Sequence, residues 1–158
     1  MAPPRSIRRP LVRFAQVGNR RRALIVEAVM WLLLARLSLI FIAFPRLARH
    51  LGTFVPPHDA RALRAKSEGP DEHARLAENV GWAVTRAARY VPFKAVCLPQ
   101  AMAARIMLKR RGVGSVMHFG ALIGQDRSMA AHAWLDAAGV EVTGYPVANT
   151  FAEIACFV

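Results

Sequence analysis

Cysteine is scarce: Cys97 and Cys156 are the only two in 158 residues. One bridge is a poor staple for a chain of this size, so a disulfide-built scaffold is excluded. No secretory signal is legible, because the apolar run begins about 23 residues in and lacks a small-residue cleavage site. Both cysteines are therefore expected as free thiols in a reducing cytoplasm. Acidic side chains are also few, ten against 22 Lys and Arg, for a net charge of +12. Thirteen of the basic residues and only three of the acidic ones lie before Pro70. A basic amino-terminal region attracts acidic lipid head groups, nucleic acid or an acidic partner. No base-reading motif or interleaved aromatics accompany these arginines, so nucleic acid is not expected as a partner. Metal-ligand spacing is missing too: His118 has no second cysteine or carboxylate at a ligand interval, and neither metal nor cofactor is expected.

What is present suits one compact domain with an appendage: 54% of residues are apolar and 20% charged. Residues 1–22 read as a basic mobile arm, ordered only by a partner or surface. Residues 23–69 read as an apolar helix and linker, and residues 70–158 as the domain that carries the chemistry. The stretch ALIVEAVMWLLLARLSLIFIAF (residues 23–44) predicts one long helix ended by Pro45. At about 1.5 Å per residue it is long enough for a bilayer core of about 30 Å. Glu27 and Arg36 interrupt it on opposite sides, and basic residues flank both ends, so no orientation is chosen. Two readings stay open: a helix packed on the domain or a partner, and a membrane association of a cytoplasmic protein through residues 23–44.

Beyond SEGP, Asp71 and Glu72 open a helix to about Tyr90, with Leu76, Val80, Ala83, Val84 and Ala87 at helical spacing. A second helix runs from about Cys97 to Arg111, tolerating Pro99 in its first turn and closing at Gly112. Residues 115–124, 130–136 and 140–145 have strand character, the last two joined by a tight turn at Ala138-Gly139. Helices first and strands afterwards predict an α+β fold.

Cys97 is placed to matter, because unpaired N–H groups and the positive dipole end at a helix start stabilise a thiolate and an oxyanion. The bland alternative is a buried, inert thiol. His132 lies on a strand between Ala131 and Ala133, sharing a face with Trp134, which shields and holds the ring. A neutral imidazole near a thiol accepts its proton and later protonates a leaving amine. A lone strand histidine is otherwise a satisfied polar side chain.

Taken together, CLPQAMAARIMLKRRGVGSVMHFGALIG followed by AHAWLDAAGVEV resembles the leader-peptidase B proteins of lasso-peptide biosynthesis, in the papain-like and transglutaminase-like class. The resemblance rests on Cys-Leu-Pro at Cys97, Arg-Arg-Gly ending at Gly112, Gly120, His-Ala-Trp at His132, and the apolar helix followed by Pro-Arg-Leu-Ala-Arg from Pro45. It implies a transglutaminase-like core with Cys at a helix start packed on a small antiparallel sheet. It also implies a cysteine peptidase that removes the leader from a ribosomally made precursor peptide, with Cys97 as nucleophile and His132 as base. The partners it implies are the precursor, a separate leader-recognition protein and the lasso cyclase. The pattern expects an acid about twelve positions after the histidine, where Gly144 stands. A hairpin turning near Ala138 sets Gly144 roughly opposite His132. The third member is then a displaced Glu141, or Asp136, about 13 Å along a regular strand, or a backbone carbonyl, or nothing. His118, on the middle strand, could approach the site from a neighbouring position but is not expected to have a catalytic or metal role; Cys156 is expected to be a packing residue, and Trp31 and Trp82 core or interface anchors. Two other functions compete: a non-catalytic or membrane-tethered scaffold, and an amidase or acyl transferase on the same core.

Overall fold

The computed structural model describes residues 18–67, 69–123 and 129–158. Residues 1–17 of the expected arm lie outside the described residues, and the rest of that arm belongs almost entirely to the first helix. This helix, α1 (Asn19–Phe41), starts earlier than the apolar pattern predicts and stops before Pro45. Pro45 instead sits in the first turn of a new helix, α2 (Phe44–Leu51), where its missing N–H costs nothing. A two-residue strand β1 (Phe54–Val55) and a short helix α3 (Ala60–Lys66) follow, both within the region read as linker. Asp59 caps α3 by accepting a hydrogen bond from the Arg61 N–H at 2.8 Å.

The remaining elements are α4 (Asp71–Ala88), α5 (Cys97–Lys109), β2 (Val116–Ile123), β3 (Met129–Ala137), β4 (Val140–Thr143), a 3-10 turn (Val147–Thr150) and β5 (Ala152–Phe157). Five strands form one antiparallel sheet in the order β1-β5-β2-β3-β4. The expected tight turn joins β3 to β4, with Ala138 at φ 49° and Gly139 at φ 77°. This is the α+β architecture predicted, enlarged by β1 and β5.

Alternation divides the sheet into two faces. Met117, Leu135, Ala137 and Phe157 face the helices and share one core with Val80 and Val84 of α4 and Met107 and Leu108 of α5. A smaller cluster of Val55, Ala62, Val116 and Cys156 lies on the other face, under α3. The same face carries His118, Trp134 and His132, whose rings stack in sequence.

α1 lies against α4 and α5 through Ile25, Ala28, Leu32 and Ala35, a single stripe at three- and four-residue spacing. Val26, Met30, Leu33, Leu37, Ile40 and Phe41 stay exposed. By length and composition α1 is able to cross a membrane. Its acidic residue belongs to the domain, however: Glu27 accepts from Arg111 Nη2 at 2.5 Å and Nη1 at 3.2 Å, and Arg110 Nε stands 3.7 Å away. The hydrogen bonds and charge of Arg111 hold the Glu27 carboxyl below its usual range, against the opposing effect of burial.

A carboxyl with a lowered pKa contributes stability above its unfolded value, about 4.5, which is lost as pH falls through the folded value. Glu27→Gln should therefore cost roughly 1–2 kcal/mol at neutral pH. In urea melts the gap between the two proteins should hold above the unfolded value and narrow as pH falls through the titration of the native carboxyl.

Candidate active site

Cys97 is the first residue of α5, as the sequence predicts. Val96 occupies the N-cap without a side-chain hydrogen bond, and no acidic residue sits in the first turn. Pro99 has no N–H, and the Gln100 N–H donates to Val96 O at 3.2 Å. The N–H groups of Cys97 and Leu98 are thus left without an intrahelical acceptor, beside a half-buried thiol. The helix is fixed deeper in the domain by Arg105, whose Nη1 donates to Ser115 O at 2.8 Å and Phe157 O at 2.9 Å. A tip held this way presents donors and a positive dipole end to any anion formed at the sulfur or at an attacked carbonyl.

His132 sits on β3, half-buried, its ring packed between Trp134 (centroids 6.1 Å apart, 20° between planes) and Phe151 (5.0 Å, 26°). Gly120 lies opposite it on β2. A Cβ at Gly120 would come within 2.8 Å of the Trp134 ring, so the glycine is what lets the indole lie across the strand. His132 Nε2 is 2.8 Å from Gly144 O. A carbonyl only accepts, so Nε2 carries the proton and Nδ1 of the neutral ring keeps its lone pair. The hairpin therefore does set Gly144 against His132, and the group it offers there is a backbone carbonyl.

The two carboxylates named from the sequence stand elsewhere. Asp136 shares His132's face but lies farther along the strand, accepting from the Tyr145 hydroxyl at 2.6 Å and paired with Lys66 Nζ at 3.2 Å. Burial raises the Asp136 carboxyl, but its contacts with His118 and Tyr145 and the Lys66 charge outweigh this and leave it below the usual range. Glu141 is in register with Asp136 across β3 and β4, exposed, and without a bond to His132. Neither orients the imidazole. Among the described residues the Cys97 thiol and His132 are not hydrogen-bonded to each other. Alternation also points His132 to the face away from Ala133 and Leu135, against which the body of α5 packs.

Sequence reasoning missed a second cluster. His118, Glu153 and Cys156 converge on the face shared with Asp136: Cys156 packs with Val55, Ala62 and Val116 as expected, and its thiol also donates to Glu153 Oε1 at 2.8 Å and lies 3.5 Å from His118 Nδ1. Burial, followed by the Glu153 carboxylate, pushes this thiol up to about 12. The signal was hidden because Glu153 and Cys156 are three apart, which on a regular strand means opposite faces. The β2–β5 register slips between Phe119 and Gly120, leaving Ile154 as an extra residue that returns both side chains to one face.

Gly144 adopts φ +93°, and a Cβ there would lie 2.5 Å from Trp134 Cβ. Installing an acid at that place should not build a triad. Gly144→Asp is expected to cost upward of about 2 kcal/mol from backbone strain and overlap, read as a lowered thermal midpoint. Unchanged stability would mean that β4 reaches His132 by a different backbone path.

No curated protein and no solved structure matches the chain. A family model does match: that of the transglutaminase-like superfamily, over residues 38–156, from the last turn of α1 through β5. With a cysteine opening a helix on an antiparallel sheet and that match covering most of its length, the chain belongs to the transglutaminase-like superfamily.

Proposed function

We propose that the protein is a cysteine peptidase that removes the leader from a ribosomally made lasso-peptide precursor. The observation that carries this reading is the pairing of membership in a superfamily that commonly comprises cysteine peptidases and transferases with the two settings just described. The Cys97 thiol stands at an uncapped helix tip, and the His132 ring donates its Nε2–H to Gly144 O, which leaves Nδ1 as the unprotonated nitrogen.

In this mechanism His132 Nδ1 takes the Cys97 proton as Sγ attacks the scissile carbonyl, and the N–H groups of Cys97 and Leu98 receive the oxyanion. The imidazolium then protonates the departing amine, which is the new amino terminus of the core peptide. Water, deprotonated by the same ring, releases the leader as a carboxylate and restores the thiol. The mechanism requires Sγ and Nδ1 to come within about 3.5 Å once the precursor binds, a closure that resting enzymes commonly complete only with substrate. In this reading a separate leader-recognition protein presents the precursor and a lasso cyclase takes the freed core. The exposed apolar face of α1 would serve any attachment to a membrane.

A second reading, a non-catalytic scaffold, is favoured by the unmade bond between thiol and imidazole. Mass measurement after incubation with a precursor, with and without the recognition protein, separates the two. Cys97→Ala should abolish cleavage with an unchanged melting temperature, and His132→Ala should slow it roughly 10²–10⁴-fold. Cleavage surviving in Cys97→Ala would eliminate the peptidase; product joined to an added amine would make the protein a transferase instead.

A further inference from the structure

The buried cluster on the sheet face away from α4 and α5 is not used by this mechanism. Its three ligand-type atoms, His118 Nδ1, Glu153 Oε1 and Cys156 Sγ, lie within 4.8 Å of one another. We propose that they form a zinc site, with Asp136 as the group that orients His118.

The distances support this assignment. Zinc bonds of about 2.3 Å to sulfur and about 2.0 Å to nitrogen or oxygen give tetrahedral edges of roughly 3.3–3.6 Å. Sγ and Nδ1 are already 3.5 Å apart. Glu153 Oε1 is nearer, 2.5 Å from Nδ1 and 2.8 Å from Sγ, because protons now join these groups. An ion replacing those protons needs the carboxylate to withdraw by less than about 1 Å, and Glu153 is the one ligand with an exposed side, its side chain 30% accessible. Cys156 and His118 are held by packing.

The surrounding groups fit a metal better than they fit their present contacts. His118 Nε2 and Asp136 Oδ2 face each other at 3.2 Å, yet both are buried without a well-aligned hydrogen bond. A metal-bound histidine donates its other N–H to a carboxylate in just this relation. Asp136 is in turn fixed by Tyr145 and Lys66. Charge closes as well: one thiolate and one carboxylate neutralise a divalent cation, leaving neutral His118 and an Asp136 already paired with Lys66. The β5 bulge at Ile154 places Glu153 and Cys156 on one face, and bulges recur where a strand must re-aim a side chain toward a site. A role for Cys156 as a second nucleophile is ruled out by its complete burial and its protonated thiol. With three protein ligands among the described residues, the fourth position is open to solvent or a small anion on the Glu153 side.

Cobalt titration of the full, tag-free chain tests this, with Co²⁺ standing in for Zn²⁺. One ion per chain should bind, with thiolate-to-cobalt charge-transfer absorption in the near ultraviolet. That absorption should vanish in Cys156→Ser and persist in Cys97→Ser. Asp136→Asn should keep the absorption while weakening binding roughly 10–100-fold. Absorption retained in Cys156→Ser, or lost in Cys97→Ser, would overturn the assignment. If Cys156→Ser does not fold, the wild-type chain decides: its melting temperature should rise with added Zn²⁺ and return after chelation, and an unmoved midpoint counts against the site. None of these readouts depends on peptidase activity, so the site and the proposed function fail separately.

Discussion

The two-residue period of β3 organises this molecule. Leu135 and Ala137 turn toward the helices and join the main core, with buried Ala133 on the same side by alternation, while His132, Trp134 and Asp136 turn to the other side. A slip of one residue would put an aspartate and an imidazole into a layer of Val80, Val84, Met107 and Leu108 and expose Leu135. Register is therefore specified strongly by burial, and the polar groups inherit their positions from it. Every titratable group of interest on the sheet, His132, His118, Asp136, Glu153 and Cys156, lies on the face away from α4 and α5, where the short helix α3 packs.

The helical layer is tied together in a complementary way. Arg111 follows the end of α5 and reaches back to Glu27 on α1, while Arg105 spans from the middle of α5 to the start of β2 and the end of β5. Cys97 stands at the end of α5 that these anchors leave free. A reactive group at the tip of a braced helix is positioned by the brace, so a charge pair remote from the thiol bears on where the sulfur sits.

Local signals made much of this legible. The apolar stripe of α4, the Pro99 and Gly112 boundaries of α5 and the Ala138-Gly139 turn are each governed by neighbouring residues, and the structure follows them closely. What stayed hidden depends on contacts between distant segments. β5 is short, and its bulge makes the pattern AEIACF unreadable as simple alternation. α3 hid behind the prolines that precede it, being only two turns long with a single buried alanine. At the candidate site the placement of Cys97 at a helix start and of His132 on a strand was legible from type and spacing, but the ring's hydrogen-bond partner was not. A backbone carbonyl leaves no trace in a sequence, and the two visible carboxylates were drawn off by Lys66, Tyr145 and the edge of the sheet.

Replacing an orienting carboxylate by the Gly144 carbonyl has a definite physical consequence. The carbonyl still fixes the tautomer and the plane of the ring, which is most of what an orienting group contributes. It brings no negative charge, so the imidazolium formed during proton transfer is stabilised by a dipole alone. The departure is also built into the backbone, since φ +93° and the Trp134 side chain leave no place for a Cβ. A mechanism on this scaffold must then draw more of its charge stabilisation from the other partner, at the uncapped N–H groups of the Cys97 helix. That places the burden on how closely the thiol and the imidazole meet, and thus on whatever substrate or presenting protein closes the distance between them.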